Sequence, residues 1–205
     1  MNPHRERARE QFPSVLLGVL GIIQALALEL LWGKGVGGIG RWQALDAELA
    51  GWLQVSSVFL GIVVVWVMYA TLVLRHSWVP RFVDLFFPFV LGIFEFLLVE
   101  MMAPERIAYF FALLAVVFVV APVSTFGIFR TMIADGDVAA PPLREELRGY
   151  APAAIAAVGL FVCAVLAKIS GPASIVTSVC LIAANAGLLI QMVNFQRLWR
   201  TDLSR

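Results

Sequence analysis

Residues 19–40 read VLGIIQALALELLWGKGVGGIG. Two signals compete in this stretch. Its second half contains Gly35-x-Gly37-x-x-Gly40, the letters of a dinucleotide-binding fingerprint, which would belong to an α/β fold. Its first half is apolar and continues upstream, so that the run spans residues 12–32. The fingerprint needs a β-strand before the glycines, a helix after them and an acidic residue about 20 positions on. A run of this length is too long for a strand. It reaches the roughly 20 residues that a helix needs to cross about 30 Å of hydrocarbon. The glycines therefore read as a loop that ends a membrane helix, or as a re-entrant segment whose carbonyls line a pore. No nucleotide and no other cofactor is expected.

The rest of the chain has the same character. Of its 205 residues, 61% are hydrophobic and 14% charged, a balance that a soluble domain of this size cannot bury. Five further apolar runs span residues 51–74, 82–103, 107–130, 150–169 and 173–196. The expected fold is an all-α integral membrane protein with six transmembrane helices in one domain. The longest connectors, 33–50 and 131–149, are too short for a separate domain. The first run continues past the cleavage-like Ala25-Leu26-Ala27 to Trp32, so it reads as a retained helix and not a signal peptide.

Lysine and arginine set the expected orientation. With the N-terminus in the cytoplasm, eleven fall on inner segments, among them Arg5, Arg75, Arg130, Arg144 and Arg197. Only Lys34, Arg41, Arg106 and Lys168 fall outside. Both termini are expected inside, with Trp32, Trp42 and Trp52 at the outer interface and Trp78 and Trp199 at the inner one. Thirteen arginines against two lysines suit a GC-rich bacterial genome, hence a bacterial inner membrane. Nothing in the charge pattern marks a nucleic-acid surface.

The chain also aligns with itself. Residues 19–31, VLGIIQALALELL, and 90–102, VLGIFEFLLVEMM, share six of thirteen positions at an offset of 71. Gly21 matches Gly92, Glu29 matches Glu100, and Gln24 faces Glu95. Leu74-Arg75, Phe129-Arg130 and Gln196-Arg197 give the even-numbered helices similar ends. Three tandem, parallel helical hairpins are expected. The layout resembles the small prokaryotic members of the lysosomal potassium channel family. That family opens its first helix with Arg-x-x-x-Phe-Ser-Asp; the stretch here is Arg9-Glu10-Gln11-Phe12-Pro13-Ser14, and no membership is assigned.

Ionisable groups at membrane depth mark the candidate site. Glu95 lies 13 residues into the third run, between Phe94 and Phe96, near the expected bilayer centre. Gln24 is expected at the same depth. Glu29 and Glu100 lie near the outer ends of their helices as an outer acidic pair, with Arg106 or Lys168 as partners. Ser174, Ser178, Asn185 and Gln196 recur at spacings of 4, 7 and 11, which predicts a polar stripe on the sixth helix opposite Glu95. Pro122 predicts a kink or gate in the fourth helix, and Pro141-Pro142 a stop beyond it. The segments Asp135-Gly136-Asp137 and Arg144-Glu145-Glu146 read as a solvated connector. Cys163 and Cys180 read as free thiols.

No metal-binding cluster, HExxH or GxSxG occurs. The expected function is a channel or transporter for a cation or proton, with Glu95, Gln24, Glu29, Glu100 and Asn185 on its path, either as a monomer or as a homo-oligomer. A non-catalytic membrane subunit or stress-related protein, whose polar residues only join helices, is the alternative. A lipid-acting enzyme is the third reading.

Overall fold

The computed structural model describes residues 3–35, 45–76, 78, 81–136, 143–172 and 174–203. Among these residues there are six α-helices and no strand: α1 (Pro3–Leu30), α2 (Leu45–Arg75), α3 (Phe82–Glu100), α4 (Ile107–Ala134), α5 (Leu143–Ser170) and α6 (Ile175–Leu203). A π-helical turn, Leu31–Gly35, continues α1, and a short 3-10 turn, Pro104–Arg106, precedes α4. Five segments are long and apolar enough to cross a membrane: Glu6–Lys34, Leu49–Leu74, Pro104–Ala134, Tyr150–Ser170 and Ile175–Gln196. The sixth, α3, has 19 residues, about 28 Å of helix at 1.5 Å per residue. It also carries Asp84, Glu95 and Glu100.

Large apolar side chains cover much of the surface, while several polar ones are buried. The surface carries Ile155, Phe161, Ile169, Ile175 and Ile190, with Ile175 83% exposed. The interior holds Gln24, Gln54, Ser57, Glu95, Ser124, Thr177 and Asn185. A lipid-facing exterior explains both facts, because hydrocarbon tolerates the first set and excludes the second.

Each helix packs against two main neighbours, in the cyclic order α1, α3, α4, α5, α6, α2. The most extensive pairings are α4 with α5 and α2 with α6. The core is apolar between these contacts, with Leu16 and Leu20 of α1, Leu91 of α3, Phe110 and Leu114 of α4, and Leu181 and Leu188 of α6 fully buried. α1 and α3 run in the same direction. Phe12, near the start of α1, stacks edge-on against Trp78, just before α3, with ring centroids 5.8 Å apart. At the other ends Lys34 pairs with Glu100. The two helices approach closely at Gly92, where a Cβ would collide with Ile23 Cγ2 of α1.

Local chemistry ends the helices, and several sequence expectations change here. α4 stops at Ala134, and Gly136 follows with φ +78°, a left-handed conformation that glycine adopts without a Cβ penalty. Asp135 N donates to Thr131 O and Gly136 N to Ile133 O. The stop thus comes before Pro141-Pro142, which lie outside the described residues. Arg144, Glu145 and Glu146, expected in a connector, belong to the first turns of α5. Gly171, at φ +84°, ends α5 in the same way. Ser174 then caps α6 by accepting from Thr177 N at 3.2 Å. It therefore precedes α6 and is not part of a stripe on it.

Trp78 is a further correction. Instead of lying at a lipid interface it is 0% exposed. Its Nε1 donates to Asp84 Oδ2 at 3.1 Å, and Arg81 N donates to the same oxygen at 2.9 Å. Trp32 and Trp52 are exposed; Trp42 and the side chain of Trp199 lie outside the described residues. Gly33–Gly35 fall in the π-helical turn, and the remaining glycines of the opening stretch are not among the described residues. Cys163 and Cys180 are free thiols.

Candidate functional site

The repeat alignment placed Gln24 opposite Glu95, and the two side chains meet in the bundle. Gln24 Nε2 donates to Ile62 O of α2 at 3.0 Å and to Glu95 Oε1 at 3.4 Å. The second distance is long for a hydrogen bond. Gln24 is thus anchored mainly to the α2 backbone and only weakly holds the carboxyl. Glu95 is 3% exposed, and its second oxygen, Oε2, has no hydrogen-bond partner. No cation pairs with it among the described residues.

Glu95 lines a partly open cavity of about 40 Å³. Val65 and Met68 of α2, Phe118 and Pro122 of α4, Leu188 and Gln191 of α6 also line it. Apart from Glu95 and Gln191 the walls are apolar. One water needs roughly 10–15 Å³ on this measure, so the cavity has room for about three. Pockets for small organic molecules are typically about 300–1,000 Å³.

Pro122 sits within α4, which continues on both sides of it. Its ring removes one backbone donor. Neighbouring hydroxyls bond the local carbonyls: Ser124 Oγ donates to Ala121 O at 2.6 Å and Thr125 Oγ1 to Pro122 O at 2.9 Å. Tyr69 of α2 donates to Ser124 Oγ at 3.1 Å, which links α2 to α4 beside the cavity.

Asn185 does not face Glu95. Its Nδ2 lies 3.0 Å from Leu53 O, 2.8 Å from Ser57 Oγ and 2.9 Å from Leu181 O, so it ties α6 to α2. Of the predicted stripe, Ser178 is half-buried and Gln196 is exposed, and the α6 residues on the cavity are Leu188 and Gln191. The acidic pair at the helix ends also separates. Glu100 makes an ion pair with Lys34, and its backbone carbonyl accepts from Arg106 at 3.2 Å. Glu29 is exposed on α1. Lys168, expected as an acid's partner, lies over the Tyr109 ring at 5.7 Å.

Sequence reading missed Gln54 and Ser57 of α2, both fully buried. Both side-chain amide atoms of Gln54, and Oδ1 of Asn185, lack partners. The signal was present in the sequence, since Gln54 is an isolated amide within an apolar run. No group of three or more metal-ligating side chains occurs among the described residues. No protein-family model, curated protein or solved structure matches the chain.

Proposed function

We propose that this protein is a small multi-pass channel or transporter for a proton or small cation, with Glu95 as its central group. The observation that supports this is the placement of Glu95: a buried carboxyl with one unpartnered oxygen, on the wall of a water-sized cavity. A carboxyl in hydrocarbon that only joined helices would be expected to use both oxygens, because an unmet polar atom there is costly. The cavity volume favours an ion or water over an organic molecule and weighs against a lipid-acting enzyme.

In this reading all six helices cross the membrane, as three tandem hairpins with both termini in the cytoplasm of a bacterial cell. The shared direction of α1 and α3 supports the parallel arrangement. Gln24 positions Glu95, Glu29 and Glu100 lie toward the outer end, Asn185 lies between α2 and α6, and Pro122 forms part of the cavity wall beside a locally weakened α4. A homo-oligomer would add path beyond what one bundle encloses. The accessory-subunit reading is favoured by a different observation. Gln24 and Asn185 both bond backbone carbonyls of α2, which is how polar residues join membrane helices.

Ion flux into proteoliposomes separates the two. Purified protein and Glu95→Gln would be assayed under proton, potassium and sodium gradients applied one at a time. Flux that requires Glu95 supports transport and identifies the ion. No flux above empty vesicles, with a Glu95→Gln protein that only melts earlier, supports the accessory reading.

A further inference from the structure

Three buried side-chain atoms of α2 and α6 lack partners: Gln54 Nε2, Gln54 Oε1 and Asn185 Oδ1. Gln54 is 0% exposed and Asn185 7%. Ser57 accepts from Asn185 Nδ2 at the α2–α6 interface, and Gln54 lies one turn before Ser57, on the same side of α2. The unmet set contains two acceptors and one donor. A bare cation would suit the oxygens and be repelled by the Nε2 hydrogens. An anion would do the reverse. Water both donates and accepts, and buried waters commonly make about three hydrogen bonds to otherwise unsatisfied groups.

The position of this cluster gives it a direction. Gln54 lies one turn before Val58 on α2, and Asn185 one turn before Leu188 on α6; Val58 and Leu188 both line the Glu95 cavity. These polar groups therefore lie one helical turn from the cavity wall, toward the end of the bundle where α2 and α6 begin. The cavity itself offers few polar atoms besides those of Glu95 and Gln191. That is too few oxygens to replace the hydration shell of a potassium or sodium ion, but enough to anchor a short file of waters.

We propose that Gln54, Ser57 and Asn185 form an internal water site that supplies the Glu95 cavity, so that the ion handled at Glu95 is a proton passed along hydrogen-bonded water. The supply role rests on the transport reading above; the water site itself does not. Gln54 is the residue to change. Its amide makes no hydrogen bond within the protein, so leucine, of similar size, removes the polarity without breaking a helix contact.

The test compares wild type, Gln54→Leu, Gln54→Asn and Glu95→Gln, each reconstituted in lipid and checked for the same elution and melting behaviour. Infrared difference spectra between ordinary and oxygen-18 water report internal water, and a vesicle pH indicator reports proton flux. Gln54→Leu is expected to lose internal-water bands and most of the proton flux, with Gln54→Asn retaining part of both. Unchanged water bands in Gln54→Leu overturn the site. Lost bands with wild-type proton flux overturn its supply role. If wild type moves no protons, or Glu95→Gln moves them equally well, the transport reading fails and the supply role with it, while the bands still decide the water site.

Discussion

Replacing Gly92 by alanine tests the packing that brings Gln24 to Glu95. A Cβ at position 92 would fall within collision distance of Ile23 Cγ2 and 3.6 Å from Ile23 Cβ. Carbon atoms pack best at about 3.5–4.0 Å, so the Cβ and Cγ2 must separate by more than ~1 Å. Ile23 cannot move aside cheaply. Cγ2 is fixed by a β-branched χ1 that has one strongly preferred rotamer in a helix. The strain must then spread into the spacing of α1 and α3. Overpacking of this kind costs about 1–3 kcal/mol. Alanine recovers about 0.5–1 kcal/mol because glycine is a poor helix residue, which leaves a net loss of ~0–2.5 kcal/mol, centred on ~1 kcal/mol.

The assay is thermal unfolding in detergent or nanodiscs, on a double-mutant cycle. Gly92→Ala is expected to lower the midpoint by several degrees. In an Ile23→Ala background, where the clash is gone, the same change is expected to be neutral or stabilising, giving a coupling of ~1 kcal/mol or more. Gly21→Ala is the control. Gly21 is the repeat mate of Gly92, yet a Cβ there meets nothing within 4 Å, so its replacement is expected to be neutral or slightly stabilising. If Gly92→Ala and Gly21→Ala behave alike, or if Ile23→Ala fails to rescue, the close approach of α1 and α3 is wrong, and the Gln24–Glu95 contact loses its basis.

Three further outcomes follow from individual contacts. Asn185→Ala removes the link from α6 to Leu53 and Ser57 and should cost ~1–2 kcal/mol in an unfolding titration, near the upper end for hydrogen bonds between membrane helices. Asp84→Ala leaves the Trp78 and Arg81 N–H groups without their acceptor and should cost about 1–3 kcal/mol, with a change in tryptophan fluorescence as Trp78 loses its setting. Lys34→Gln breaks an ion pair whose side chains are 58% and 42% exposed; its effect on stability should stay below about 1 kcal/mol, measured by the same titration at low and high salt.

How far the sequence was readable depended on which physical rule was in play. Length and polarity located the apolar helices, because the cost of exposed polar backbone and side chains in hydrocarbon leaves few alternatives. The 71-residue offset located the Gln24–Glu95 contact, since parallel helices with matching sequence place matching residues at one depth. The same offset misled for Gly21 and Glu29, whose mates Gly92 and Glu100 alone make the close approach and the ion pair. Hydropathy also does not say which face of a membrane helix turns inward, as both surroundings are apolar. For that reason the buried junction at Trp78 emerged only when the helices were assembled, and Gln54, though visible as an isolated amide, could not be assigned to the interior. Asn185 was picked out by its polarity, but its partner is α2 and not the cavity.

If Glu95 exchanges protons with water inside the bundle, its carboxyl vibration must respond to both pH and deuterium. The most direct measurement is the infrared carboxyl spectrum of the reconstituted protein, recorded as the pH is stepped and again in deuterated buffer, with Glu95→Gln as reference. Proton exchange at Glu95 requires a carboxyl band, absent from Glu95→Gln, whose intensity follows the pH step and whose frequency shifts within the time of deuterium exchange. A Glu95 band that responds to neither change would show a carboxyl sealed between helices and would contradict the account.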